Sequence, residues 1–165
     1  MSAVISPCGN YRYRLDCSLW PANEGGKVFA YFGINPSTAD AQVDDATVRK
    51  WKGFTLRNGG ERFVVGNLFA LRSTDPTALT KQDDPFGPQW LGYMKSIIAD
   101  ADVLVPCWGG LSKMPHDLRG VPAQVLAFLL QSGKPIVHFG ATSCGQPRHP
   151  LMIPYDTPLI PWVSK

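Results

Sequence analysis

No stretch of this 165-residue chain approaches the roughly 18 consecutive apolar positions of a membrane span. Its first residues, Met1-Ser-Ala-Val-Ile-Ser-Pro7, lack the basic start and full apolar core of a secretory signal. A cytoplasmic protein is therefore expected. Charge is also sparse: 16 Lys and Arg against 13 Asp and Glu leave a net +3, too little for an extended basic arm that would track a nucleic-acid backbone. The four cysteines, Cys8, Cys17, Cys107 and Cys144, form no C-x-x-C pair. A chain of this size needs no disulfide staples, so they are read as reduced thiols, and no zinc-ligand spacing joins them to His. Internal repeats, low-complexity tracts and a composition break that would mark a second domain are missing as well.

What remains is a chain with 44% hydrophobic residues, long enough to bury about two-thirds of its unfolded surface in one core. A single α/β domain over residues 1–165 is expected. Four β-rich apolar runs, at 28–32, 62–66, 103–107 and 135–139, each end near Gly, Asn or Trp, as parallel strands covered on both faces often do. Between them, 47–58, 88–99 and 121–132 have helix-compatible patterns. Val48, Trp51, Phe54 and Leu56 lie roughly on one face of the first, which Asn58-Gly59-Gly60 stops. Pro88 and Pro122 fall near the starts of the other two, where a missing N–H costs nothing. The order is βαβαβαβ, and right-handed crossovers bring the loops after the strands to one edge. Tyr11-Arg-Tyr-Arg14 reads as an antiparallel edge strand or hairpin, with a turn at Asn23-Glu-Gly-Gly26. Four prolines keep the tail from Pro150 onward extended instead of helical.

The chemistry collects at those strand ends. Phe29-Ala-Tyr-Phe-Gly33-Ile34-Asn35-Pro36-Ser37 runs a buried strand into a turn carrying a side-chain amide and free backbone N–H groups, at the edge where open α/β sheets bind ligands. Asn35 can orient a water or bond a base, or it can cap the following turn with Ser37 and Asp40. Val64-Val-Gly-Asn67-Leu-Phe69-Ala-Leu-Arg72 repeats the arrangement. Asn67 presents a donor and an acceptor side by side, as reading a pyrimidine edge requires, or it satisfies loop backbone groups while Phe69 fills the core. Asp44-Asp45-Ala-Thr47-Val-Arg49 could cap a helix, hold a divalent cation or orient a water. Asp83-Asp84-Pro85 is ordinary turn chemistry. Trp108 could carry a stacked base or lie buried under its own loop. Lys113, His116 and Arg119 are candidates for phosphate contact. Arg148-His149-Pro150-Leu151 closes the set, and its imidazole could meet a phosphate, a base or solvent.

Taken in order, GINPSTAD, DDATVRK, VGNLFALRSTDP, CWG and the late HPL resemble a family of small bacterial and phage proteins known only as a domain of unknown function. The strand-end Gly-Ile-Asn-Pro, Asn67 and the late His-Pro are in addition similar to motifs of the uracil-DNA glycosylase superfamily. That resemblance implies a three-layer α/β/α sandwich around a four-stranded parallel sheet. It also implies excision or recognition of uracil or a modified base by N-glycosidic hydrolysis. His149 would then meet the base anion, Asn67 the base edge and Asn35 the water; Asp44 and Asp45 have no counterpart in those motifs, and their carboxylates offer a backup base. Gly33, Ile34, Pro36, Ser37, Arg49, Phe69, Arg72, Trp108 and Arg148 would line the substrate. The full His-Pro-Ser-Pro-Leu-Ser string of that superfamily is not present, so insertion into DNA does not carry over. The expected partner is a nucleobase-containing ligand, in DNA or as a free nucleotide, with no membrane, cofactor or resident metal. A non-catalytic nucleotide or nucleic-acid binding module and a metal-dependent nucleotide hydrolase are the alternatives.

Overall fold

The computed structural model describes residues 1–21, 23–37 and 45–163. Seven strands alternate with three α-helices: β1 (Ser2–Ile5), β2 (Arg12–Ser18), β3 (Lys27–Gly33), α1 (Ala46–Arg57), β4 (Gly60–Asn67), α2 (Trp90–Asp100), β5 (Val103–Pro106), α3 (Val121–Gln131), β6 (Val137–His138) and β7 (Ile160–Pro161). All three helices and the strands at 28–32, 62–66 and 103–107 stand where the apolar periodicity put them, within a few residues. No helix among the described residues is long and apolar enough to cross a membrane.

The principal sheet is mixed and five-stranded, in the order β1-β2-β4-β3-β5. This corrects the expectation of four parallel strands. Only β4, β3 and β5 run parallel; β2 lies antiparallel to β4, and β1 antiparallel to β2. The N-terminal segment thus forms a hairpin of β1 and β2, closed between Ser6 and Tyr11, whereas Asn23–Gly26, expected as its turn, instead leads from β2 to the non-adjacent β3. The fourth apolar run makes one parallel bridge to β5, Leu104 to Ile136, with the Leu104 N–H donating to the Pro135 carbonyl at 2.9 Å. It then leaves the sheet, because Val137 and His138 pair with Pro161 and Ile160 of the extended tail.

Alternation along β3 assigns its side chains to two cores. Val28, Ala30 and Phe32 join Met94, Ile97 and Ile98 of α2 and Val125 and Leu129 of α3. Phe29 and Tyr31 join Val48, Trp51 and Phe54 of α1. Helices therefore cover both faces, and each fully buried large apolar side chain contributes about 1.5–3 kcal/mol. On α1 the fourth inward residue is Thr55, not Leu56, which is 37% exposed. Thr55 is tolerated inside because its hydroxyl donates to the Trp51 carbonyl at 2.7 Å and meets the Tyr31 hydroxyl at 3.0 Å.

One departure from regular pairing matters for the site. Val4 pairs with Arg14 and Ile5 with Arg12, so Tyr13 is an extra residue on β2. Such a bulge rotates the residues on its two sides relative to each other. Tyr13 stacks on Tyr93 of α2, and Arg14 reaches Ser96 and Asp100 of the same helix. Leu15 faces the α1 core.

Candidate functional site

Beyond the carboxyl ends of β3 and β4 the two chains continue side by side. Gly33 is in register with Asn67, and the N–H groups of Leu68, Phe69 and Ser73 donate to the carbonyls of Gly33, Ile34 and Pro36, each at 2.9 Å. Asn35 completes this stitching. Its amide nitrogen donates to the carbonyls of Ser73 (2.8 Å), Pro36 (3.2 Å) and Leu71 (3.4 Å). The side chain holds the loop after β4 in place, so its N–H groups are spent on backbone and do not face a base. Pro36 is buried beneath it, and Ile34 packs on the α2 side.

Asn67 stands in the opposite situation. It is 7% exposed, and its amide hydrogen-bonds no described residue. Gly33 leaves room for it: a methyl group at that position would sit 3.0 Å from Asn67 Oδ1 and 3.9 Å from the Trp51 ring. The amide therefore lies beside an indole, on the α1 face. Trp51 stacks on Tyr31 at 5.6 Å between ring centroids, and its Nε1 has no oxygen or nitrogen partner. Burial pushes the Cys107 thiol up to about 12, with Trp51 and the Phe32 backbone working against that rise.

Asp45 begins α1. One carboxylate oxygen accepts the Val48 N–H at 2.8 Å, a regular N-cap, and the other meets the Ser37 hydroxyl at 3.4 Å. Capping accounts for Asp45 while leaving its charge at the strand edge. That charge acts on two neighbours from other segments. His149, mostly buried, has its pKa lowered first by burial and then by Lys113, and Asp45 opposes both. Its Nδ1 accepts the Leu151 N–H at 3.3 Å, so in the neutral ring the proton sits on Nε2. Gly109 lets the His149 loop approach: its φ is +81°, its N–H donates to the Pro147 carbonyl at 2.9 Å, and a Cβ there would lie 3.3 Å from His149 Cβ.

The second neighbour is Arg12, which the sequence reading passed over as part of an alternating strand. The residue is only 9% exposed. Burial lowers its pKa, Asp45 opposes that, and the like charge of Arg72 adds to it. No hydrogen bond or ion pair joins its guanidinium to the described residues, although its backbone N–H donates to the Ala70 carbonyl at 2.9 Å. The bulge at Tyr13 explains why Arg12 turns toward Asp45 while Arg14 turns toward α2. Nothing in Tyr11-Arg-Tyr-Arg14 announces that bulge.

The remaining candidates fall elsewhere. Trp108 is no stacking platform: it is 1% exposed in the α2–α3 core, and its indole N–H donates to Gln146 at 2.9 Å. Phe69 is likewise a core residue, packed against Phe86. Arg72 donates to the Gly9 carbonyl at 3.0 Å and borders a cleft of about 310 Å³ with Asn10, Ser73 and Lys81. Arg49 and Arg148 point outward. Asp44, and Asp40 with it, lie outside the described residues. A larger cleft of about 580 Å³, bordered by Arg57, Asn58 and Tyr155, opens at the far end of α1 from Asp45. Among the described residues no three His, Cys, Asp or Glu side chains gather as a metal site would need.

The molecule is thus a mixed α/β domain in which buried Arg12 and Asn67 and half-buried Asp45 and His149 stand toward the edge where β3 and β4 end. The chain belongs to the family described as a protein of unknown function, DUF1643, whose model matches residues 12–151 and so includes every one of these groups. No curated protein and no solved structure matches the chain.

Proposed function

We propose that this domain binds a nucleobase against Asn67 and Trp51 and hydrolyses its N-glycosidic bond, in the manner of the uracil-DNA glycosylase superfamily. The observation that carries this reading is Asn67, a residue 7% exposed whose amide hydrogen-bonds none of the described residues. A buried amide without partners is costly, and ligand-binding sites are where such a cost is retained. Its side-by-side donor and acceptor suit a pyrimidine edge, and the neighbouring indole offers an apolar wall. The mixed α/β fold with helices on both faces of the sheet supports the reading at the level of fold class, while its five-stranded mixed sheet departs from the four parallel strands which that resemblance implies.

In the reaction, the bond between base nitrogen and sugar C1′ breaks and its electron pair leaves with the base. His149 donates its Nε2–H to the base oxygen that gains charge. Water adds to C1′, and Asp45 accepts its proton; the base anion later takes up a proton, giving free base and a sugar hydroxyl. Asn35 serves by holding the 71–73 loop, not by placing water. A buried donor to developing negative charge is typically worth about 100-fold or more in rate. His149→Ala should therefore reduce turnover by at least about that factor while leaving binding largely intact.

A second reading, recognition without chemistry, draws support from Asp45, whose two oxygens already serve Val48 and Ser37. The test uses oligonucleotides carrying uracil, mismatches and modified pyrimidines, together with free nucleosides and nucleotides, scored for abasic sites and released base with and without chelator. Base release insensitive to chelator and lost in His149→Ala supports the glycosylase. Binding without release supports the binding module, and chelator-sensitive release supports a metal-dependent hydrolase that employs Asp44 with Asp45.

A further inference from the structure

We infer that Arg12 forms a buried subsite for a terminal phosphate, so that the ligand is a nucleoside monophosphate and not a base within a polynucleotide. The inference rests on the nucleobase reading of Asn67 and narrows its substrate class. Arg12, a residue only 9% exposed whose guanidinium makes neither a hydrogen bond nor an ion pair to the described residues, is in a rare state for an arginine. Buried charges are normally paired, and arginine's planar fork of donors matches phosphate oxygens two at a time.

Position supports the same ligand. Arg12 lies within the electrostatic reach of Asp45, which opens the 12-residue helix α1, and of Arg72. The amino end of a helix carries partial positive charge and favours an anion. His149 feels the same Asp45, which links the anion subsite to the base subsite through one carboxylate.

Burial selects between kinds of phosphate. An internal phosphodiester carries chain on both sides and needs an opening for each continuation, so its arginines stay accessible along a groove. A phosphomonoester ends the ligand and can be enclosed. The modest net charge of +3 fits a small anion better than a polyanion, whose affinity grows with the number of phosphates neutralised.

The inference is tested by calorimetric titration of the intact chain with deoxyuridine, deoxycytidine, deoxyadenosine and deoxyguanosine, their 5′-monophosphates, the matching dinucleotides and inorganic phosphate. At least one monophosphate should bind tenfold or more tightly than its nucleoside and more tightly than its dinucleotide. Inorganic phosphate should compete with it. Arg12→Gln should erase the advantage of the phosphate while leaving nucleoside affinity within about twofold, and Arg12→Lys should keep part of it. Equal affinity for nucleoside and monophosphate in the unaltered protein overturns the inference without reliance on any variant, as does tighter binding of dinucleotides. Nucleoside binding that depends on Asn67 with no gain from phosphate leaves the base reading standing and removes only the phosphate subsite. Phosphate binding through Arg12 to which no base adds keeps the anion subsite and removes the base reading.

Discussion

Replacing Asn67 by Leu separates a binding residue from a structural one, because the two roles give opposite signs. In the folded protein the residue is only 7% exposed, and its amide hydrogen-bonds none of the described residues. Such a group carries a desolvation penalty of about 1–3 kcal/mol that a hydrogen bond would normally offset. Leucine occupies nearly the same volume and removes that penalty. Its branched end must settle against the Trp51 ring and the space beside Gly33, and imperfect fit there costs under about 1.5 kcal/mol. The net change runs from near zero to a stabilisation of about 2 kcal/mol. In a chain of this length each kcal/mol shifts the midpoint by about 2–4 °C, so Asn67→Leu should melt at the same temperature or up to about 8 °C higher. Thermal unfolding followed by circular dichroism, with urea titration at 25 °C, measures this directly. The same variant should lose affinity for whichever nucleoside or nucleotide the unaltered protein binds, the trade of stability for function expected at a site. A midpoint lowered by more than about 4 °C would refute the reasoning, since it would mean that the amide is held by bonds within the folded protein.

Asn35→Ala should behave in the opposite way, destabilising by about 1–3 kcal/mol because three carbonyls at Pro36, Leu71 and Ser73 lose their donor; the midpoint in urea reads this, and hydrogen exchange should rise at 71–73. The imidazole of His149 should titrate below the ordinary histidine value of 6.5 when followed by NMR. Its folded pKa is depressed, so the unfolded state binds more protons between the two values. Its contribution to stability is thus complete above 6.5 and lost as pH falls through the folded pKa. Asp45→Asn should lower that pKa further and Lys113→Ala should raise it. Of the four thiols, Cys8 and Cys144 are exposed with pKa values lowered by hydrogen bonds from Ser6 and Thr142 respectively, whereas Cys17 and Cys107 are buried. A colorimetric thiol reagent at pH 8 should react quickly with two in the native protein and with the other two only on unfolding, Cys107 being held near 12 by burial.

Much of this molecule follows from chain pattern alone. Apolar periodicity located α1, α2, α3 and the parallel strands β3, β4 and β5, because buried runs and amphipathic turns are local properties of the sequence. It also placed Asn35, Asn67, Asp45 and His149 at strand ends or in the loops after them, which is where right-handed crossovers converge. The antiparallel N-terminal strands were legible as an edge strand or hairpin, but the loss of the fourth parallel strand was not, since whether the run at 135–139 completes the sheet depends on competition from a tail more than twenty residues later. Nor could pattern divide labour between the two strand-end amides. Asn35 and Asn67 look equivalent in sequence, yet the carbonyls of Leu71 and Ser73 arrive beside only one of them and consume its donors. Arg12 and Arg14 differ for a similar reason. An extra residue at Tyr13 turns one toward Asp45 and the other toward Asp100, and a single-residue bulge leaves no mark in alternation. Local sequence determined which groups reach the sheet edge; contacts between distant segments decided which of them remain unpaired there, because hydrogen-bond partners are supplied by whatever chain the fold brings alongside.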